Sequence, residues 1–310
     1  MIKEFFIPFN DYKSVGGVSS FMHNLKNYLD KSGFVYTEDS KDAKHIFFPV
    51  EYNTEILRRI KERGGKIIQR LDGIYYEPEH TPEQLDFNQK IKEIYLRYAD
   101  FVIFQSEYSK KQCFEKLGNI LKNKYTLIVN GVDKSIFFPN INKTQLGHKI
   151  KFVTTGNFRR REMLKPLVLA LDELKEKYTF ELNIVGPVQQ NLKAMLNKDY
   201  VIYHGSRELK EVGEILYTCD IFLFSFLNPP CPNSVIEAVS SGLPVVSFNS
   251  GSMPELVGFN KELLAYVSDE IFQKHDDFNY KKLKEKIELC INKFQEFKTN
   301  AVNNCHLFSF

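Results

Sequence analysis

The chain has no tryptophan among its 310 residues and only five cysteines. Cys113, Cys219, Cys231, Cys290 and Cys305 are odd in number, scattered and without CxxC spacing. That pattern argues against a disulfide frame or a zinc site and for the reduced thiols of a cytoplasmic protein. The seven histidines are equally dispersed, and no HExxH pair occurs, so spacing offers no metal site. There is no run of about 18 apolar residues, which excludes a membrane-spanning helix. The opening MIKEFF carries an acid early and leads into no long apolar region, so no signal peptide is expected. Charge of one sign is also scarce. The net charge of +3 is too small to imply nucleic acid. Residues 1–150 hold 23 Lys+Arg against 19 Asp+Glu, and residues 151–310 hold 19 against 20. The small positive excess belongs to the first half, where it suits either an anionic substrate or membrane surface, or a plain solvated face.

What is present is an alternation of short apolar runs with amphipathic segments. Strands are expected at KEFFIPF (3–9), HIFFPV (45–50), KIIQRL (66–71), FVIFQS (101–106) and YTLIVNG (125–131), with helices between them. A polar stretch, PNINKTQLGHK (139–149), reads as a linker. The pattern then restarts with KFVTTG (151–156), TFELNIVG, VIYHGS (201–206), IFLFSF (221–226), LPVVSF (243–248) and LLAYVS (263–268), and ends in one long amphipathic helix, FNYKKLKEKIELCINKFQEFKT. Strand–helix alternation implies parallel sheets covered on both faces. At 310 residues, two such units in series are expected. The fold class is therefore α/β, with two Rossmann-like, doubly wound parallel-sheet domains facing each other across a cleft. The divisions are 1–140, 150–276 and a C-terminal helix, 277–300, reaching back to the first domain. Ligands in such sheets bind beyond the carboxyl ends of the strands.

The stretch PPCPNSVIEAVSSGLPVV (229–246) is the most informative. Asn233 is placed to cap a short helix over 234–241, and Gly242 to stop it in a left-handed conformation. Glu237 falls one position too late for a capping box. The amides of Ser234 and Val235 point from a helix N-terminus, a setting that suits phosphate. A carboxylate one turn deeper suits the vicinal hydroxyls of a ribose. From spacing alone, a surface glutamate near a helix dipole explains Glu237 equally well.

At this point the chain resembles a retaining glycosyltransferase of the GT-B fold, family 4 (glycosyl transferases group 1). The stretches that carry the resemblance are GGVSSF (16–21), ADFVIFQSEYSKKQC (99–113), LIVNGVDKSIFFP (127–139), FVTTGNFRRREMLKPLVLALDEL (152–174), LNIVGP (182–187), VIYHGSRELKEVGEILYTCDIFLFSF (201–226) and PCPNSVIEAVSSGLPVVSFNSGSMPELV (230–257), in family order and spanning nearly the whole chain. The resemblance implies that the second domain binds a nucleotide-diphosphate sugar and that the first lies on the acceptor side. Glu237 corresponds to the later glutamate of the family's E-x7-E motif, which binds the ribose. Ser234 and Val235 would meet the diphosphate or sugar through their amides. Gly16 and Gly17 would let backbone approach the donor where a Cβ would collide. His204 would end a strand near the base, and the loop GSMPELV (251–257) would lie near base or ribose.

The sequence departs from the family at three places. The earlier glutamate is replaced by Pro229, with Asn228 as a candidate substitute. The diphosphate clamp reads GNFRRREMLKPL, with Asn157 where arginine is expected. One of Arg159, Arg160 and Arg161, or Lys165, is left to bind phosphate, arginine offering a forked geometry. Asp72 stands where the family often has histidine, and is expected to orient an acceptor hydroxyl or stabilise positive charge on the sugar, unless it only forms an Asx turn before Gly73. The catalytic candidates are thus Asp72, Arg160 and Lys165. Asn157, Arg161 and Asn233 join the donor-binding set.

The expected activity is retaining sugar transfer to a glycan or lipid-linked acceptor, of hexosyltransferase type and without metal or other cofactor. Its setting would be surface-polysaccharide synthesis in the cytoplasm or at the inner face of the membrane. Nucleic acid is not an expected partner; peripheral membrane association is. Two alternatives remain on the same fold: a non-catalytic nucleotide-sugar or glycan-binding protein, and a sugar-nucleotide epimerase.

Overall fold

The structure, a computed structural model, describes residues 3–12, 17–76, 80–119, 124–276 and 279–309. The chain divides into two compact units, Met1–Asn130 and Gly131–Phe310. The boundary falls nine positions before the polar stretch expected to be a linker. Lys143 of that stretch instead donates to the Thr218 carbonyl at 2.6 Å, within the second unit.

In the first unit the order is β1 (Lys3–Phe6), α1 (Gly17–Ser32), β2 (Tyr36–Thr37), β3 (Ala43–Pro49), α2 (Thr54–Glu62), β4 (Ile67–Leu71), α3 (Pro82–Glu93), β5 (Phe101–Phe104), α4 (Glu107–Leu117) and β6 (Tyr125–Leu127). The strands form one parallel sheet ordered β2-β1-β3-β4-β5-β6. Local chemistry starts the helices. Asn53 caps α2 by accepting from the Glu55 and Ile56 amides, and Thr81 with Gln84 forms a capping box on α3 with Pro82 in its first turn. Ile46, Phe48, Ile67, Leu57 and Ile60 pack one face of the sheet, while Ile7, Phe9 and Met22 form a second cluster.

The second unit runs β7 (Ile150–Thr155), α5 (Lys165–Leu174), β8 (Phe180–Val185), β9 (Val201–Gly205), α6 (Leu209–Thr218), β10 (Ile221–Phe224), α7 (Asn233–Ser240), β11 (Val245–Asn249), α8 (Met253–Leu256), β12 (Leu264–Tyr266), α9 (Asn279–Asn292) and α10 (Phe294–Asn303). Its sheet order, β9-β8-β7-β10-β11-β12, is parallel throughout and doubly wound. Phe152, Leu223 and Val246 pack toward α5 and α9, and Val153, Phe222 and Val245 toward α7. This burial on both faces is why these strands read as unbroken apolar runs.

The C-terminal segment is not the single helix expected. It breaks at Lys293 (φ −118°, ψ 32°) into α9 and α10, and the bend brings Phe294 and Phe297 into the core that α9 also covers. Its described packing is with α5, α7 and β11 of its own unit. Among the described residues no helix is long and apolar enough to cross a membrane.

Candidate functional site

The strand order of the second sheet reverses between β7 and β10, the position at whose carboxyl ends α/β sheets bind ligands. The loop after β7 carries Asn157 to Leu164, and the loop after β10 leads to α7. The Ser225 hydroxyl ties them by donating to the Met163 carbonyl at 2.8 Å.

Asn233 is not the cap of α7. The helix includes Asn233 as its first residue, and Pro232 (φ −73°, ψ 117°) is the flanking position, with no side-chain cap bond. Proline fixes the required φ, and its carbonyl accepts from the amides of Val235 at 3.1 Å and Ile236 at 3.3 Å. The Val235 amide is therefore engaged within the helix and is not a free phosphate donor. The Ser234 amide has no described partner. At the other end Gly242 is left-handed (φ +65°), and its amide and that of Leu243 close the helix on Val239 and Ala238. A Cβ on Gly242 would come within 2.7 Å of Pro139 Cβ. Lys298, from α10, is 3% exposed and donates to the Gly242 carbonyl at 2.8 Å. Burial there lowers its ammonium to about 8.

Glu237 is the fifth residue of α7, half-buried among apolar neighbours. No described group donates to its carboxylate. Burial alone pushes its pKa from 4.5 up to about 7. The site thus contains a desolvated acceptor that protein has not satisfied.

The loop before α7 is rigid. Asn228 is left-handed (φ 57°) and 2% exposed. Its side chain donates to the Gln273 carbonyl and accepts from the Gln273 amide, both at 2.8 Å, and its own amide donates to Ser250 Oγ at 2.7 Å. Gln273 Nε2 also reaches the carbonyls of Asn249 and Ser268. Asn228 is therefore committed to protein and does not substitute for the missing glutamate. The Pro229 carbonyl accepts from the Ser252 amide at 2.9 Å, and a Cβ on Gly251 (φ +59°) would stand 2.5 Å from Pro229. Asn228→Ala strands the Gln273 backbone groups and forces alanine into a left-handed backbone. A loss of about 2–3 kcal/mol in urea unfolding is expected. Asn228→Gly should lose less, because it removes the bonds but fits the backbone.

The basic loop divides its residues. With its amide oxygen toward the guanidinium, Asn157 accepts from Arg159 Nη2 and Nε at 3.0 and 3.2 Å. Arg161 and Lys165 line a cavity of about 290 Å³ with Glu162, His275 and Asp276. Arg160 lies in the same neighbourhood: with burial, its charge holds His275 below the usual imidazole range. Lys165 opens α5, so a cation and a helix N-terminus coincide there. His204 lies on the edge strand β9, where its Nε2 bonds Asn183 Oδ1 at 2.9 Å. Burial lowers its pKa, with Arg207 adding to the effect. The loop 251–257 contains α8, whose Met253 and Leu256 are core residues.

In the first unit, Gly16 lies outside the described residues. Gly17 opens α1, and a Cβ there would meet no protein atom within 4 Å, so packing does not dictate glycine at that position. Asp72, just past β4, forms an ion pair with Arg70. Arg70 is 2% exposed, donates to Asn130 Oδ1 at 2.5 Å and stacks over the Phe21 ring at 3.6 Å. Asn130 in turn donates to Gln105. Burial raises the Asp72 carboxyl, and Arg70 opposes that rise. Sequence reasoning missed the lock between Asn228 and Gln273, the buried Lys298, and Asn130 as a partner of Arg70. Each joins residues 45 or more positions apart, beyond the reach of spacing rules.

Residues 149–275 match the family model described as glycosyl transferases group 1. An uncharacterized 41.2 kDa protein in the cps region of Klebsiella pneumoniae is 27% identical over 229 residues, covering 69% of this chain and 62% of its own length. The uncharacterized glycosyltransferase MJ1059 of Methanocaldococcus jannaschii is 28% identical over 174 residues, covering 52% of this chain and 42% of its own. The chain thus spans less than two thirds of either relative. Among solved structures, Anabaena Alr3699/HepE in complex with UDP-glucose superposes with a TM-score of 0.72 at 16% identity, covering 100% of this chain and 96% of that one. At that identity the likeness shows the fold.

Proposed function

We propose that this chain, whose residues 149–275 match the glycosyl transferases group 1 and whose fold is GT-B, moves a sugar from a nucleoside diphosphate donor to a saccharide or lipid-linked saccharide, with retention at the anomeric carbon. The observation that carries this reading is Glu237, a half-buried, desolvated carboxylate to which no described group donates. A ribose supplies two vicinal hydroxyls to such an acceptor. The Ser234 amide and the α7 N-terminus face the adjoining phosphate. Arg160, Arg161 and Lys165 supply the positive charge that develops a partner as the diphosphate leaves. In this reading charge uptake needs no metal ion. The acceptor hydroxyl attacks from the face the diphosphate vacates, and the departing phosphate oxygen takes its proton. Asp72, held by Arg70, stabilises positive charge on the sugar ring. The relative from a cps region and the neighbour holding UDP-glucose support surface-polysaccharide synthesis from a uridine nucleotide. Work at the cytoplasmic face of a membrane belongs to the same proposal.

A second reading, a donor-binding protein without turnover, is favoured by Pro229 and by the full commitment of Asn228 to Gln273. One assay separates the two. The protein is incubated with UDP-, GDP-, dTDP- and ADP-sugars, with and without saccharide acceptors, and nucleoside diphosphate release is measured. Release stimulated by an acceptor is expected. Donor binding without release from any donor would establish the second reading, and donor conversion without an acceptor would indicate an epimerase.

A further inference from the structure

The second sheet ends on a strand that the fold leaves uncovered. β9 (Val201–Gly205) lies at one edge of that sheet. The crossover that leads into it from β8 is no α-helix but a short 3₁₀ segment, Gln190–Leu196, of which only Leu192 is buried. Ile202 and Tyr203 are neighbours in the strand, so they point to opposite faces, and each is 40% exposed. Leu209, in the first turn of α6, is exposed to the same degree.

The backbone of this edge is also unpaired. The Leu182 amide donates to the Tyr200 carbonyl at 2.7 Å, so that carbonyl faces β8. Alternation along the parallel ladder turns the N–H and C=O of Tyr203 the other way, where no described group bonds them. A bulge between Ile184 and Val185 ends the regular ladder just past Tyr203. Native sheets blunt such edges by keeping them short or by placing proline or charge there. The other edges here are short: β2 has two residues, β6 three and β12 three. β9 has five, and no proline or charged residue lies within Val201–Gly205.

The two ends of the strand state what fits. Asp199 and Arg207 each stand four positions from Tyr203, on opposite sides. Laid antiparallel to a second β9, with the two Tyr203 residues opposite each other, each chain brings Asp199 beside Arg207 of the other. Lys198, which also holds its own Asp172 at 2.7 Å, then meets Glu208. Parallel pairing would instead set each charge beside its own kind. Asp199 is exposed, and no described group bonds its carboxylate. Arg207 reaches only Glu211, at 3.8 Å with both side chains in solvent, a contact whose loss costs little.

We propose that β9 is a homodimer interface, in which two copies of this chain pair antiparallel about a two-fold axis at Tyr203 and join two six-stranded sheets into one. The two Tyr203 residues exchange N–H···O=C bonds and form a cross-strand aromatic pair. The symmetry makes the Asp199–Arg207 ion pair twice, once at each end. None of these three residues belongs to the donor set, so the inference stands apart from the transfer reading.

The test is sedimentation velocity of the full chain in low salt over roughly 1–200 μM, the range in which small interfaces dissociate. A reversible dimer is expected. Hydrogen exchange at the Tyr203 amide should slow at least about two-fold from the lowest to the highest concentration. Asp199→Arg and Arg207→Asp should each weaken the dimer at least about ten-fold, because two-fold symmetry turns two attractions into two repulsions. Mixed in equal amounts, the two variants should associate with each other about as tightly as the unsubstituted chain, since each then meets opposite charge at both ends. That rescue also shows that both variants fold. A chain that stays monomeric across the range overturns the proposal. So does a dimer indifferent to both reversals, one whose Tyr203 amide gains no protection, or a mixture of folded variants that does not associate.

Discussion

Glu237→Gln is expected to weaken UDP binding by roughly 30- to 1000-fold while raising the unfolding temperature of the free protein at pH 8 by about 2–6 °C. Both effects follow from one cause. The carboxylate sits in an apolar setting with no described donor, and its pKa is pushed from 4.5 to about 7. The folded state therefore holds its proton over a range in which the unfolded state has lost it. The associated stability is fully present below about pH 4.5 and is lost as pH rises through about 7. At pH 8 the buried charge costs up to about 3 kcal/mol. An amide cannot ionise, so the substitution relieves that cost at pH 8 and leaves the unfolding temperature little changed at pH 5. The same amide accepts ribose hydroxyls without a formal charge and loses the charge-assisted part of two hydrogen bonds. Hydroxyl donors favour the ionised carboxyl, so uridine affinity should rise with pH through about 7 in the native protein and be flat in the variant. Uridine avoids the titration of phosphate. Calorimetric titration at pH 6 and pH 8 checks this. Equal uridine affinity in the two proteins at both pH values would remove Glu237 from the nucleotide site.

The sequence made the carrier of this prediction visible for a physical reason. Strands buried on both faces read as apolar runs, and an acid set into the helix that follows one of them stands out, although a helix-dipole setting explained it as well as a ligand did. Capping was excluded by position, and the structure confirms that exclusion even though the helix starts one residue earlier than expected. The earlier start was not legible, because Asn233 is a better cap by type than Pro232. What decided the matter was the Pro232 carbonyl, a backbone group that no residue preference reports. The bend at Lys293 was hidden in the same way: amphipathic periodicity continues across it, and only the core into which Phe294 and Phe297 turn shows why the helix breaks. The basic loop was legible as charge and not as geometry. By sequence, Arg160 and Arg161 stand ahead of Arg159 without geometry to support that order, and the fold separates them, Arg159 bonding Asn157 while Arg161 shares a cavity with Lys165.

Arg70→Met is expected to cost the first unit about 3–5 kcal/mol, the larger part of it recoverable by adding Asp72→Asn. Methionine retains much of the buried stem but loses the guanidinium's stacking over the Phe21 ring. What goes is the guanidinium that pairs with Asp72 and donates to Asn130. The Asp72 carboxyl is already raised by burial, and Arg70 is what opposes that rise. Without it the carboxyl rises further. A group raised in the fold loses its stabilising contribution as pH climbs through the folded value, so the single variant should be least destabilised in acid and most at pH 8. In Arg70→Met with Asp72→Asn there is no carboxyl to titrate, and that part of the pH dependence should vanish. Urea unfolding of both single variants and the double variant at pH 5 and pH 8 gives the coupling energy. Additive losses with no pH dependence would mean that the pair is not energetically linked and that Asp72 is not held ionised by Arg70. The cycle also bears on mechanism. Asp72→Asn retains a side chain able to accept from Arg70, so it should leave UDP affinity unchanged while lowering sugar transfer, if an ionised Asp72 faces the sugar. Unimpaired transfer by a folded Asp72→Asn would assign the carboxylate to the architecture of the β4 end alone.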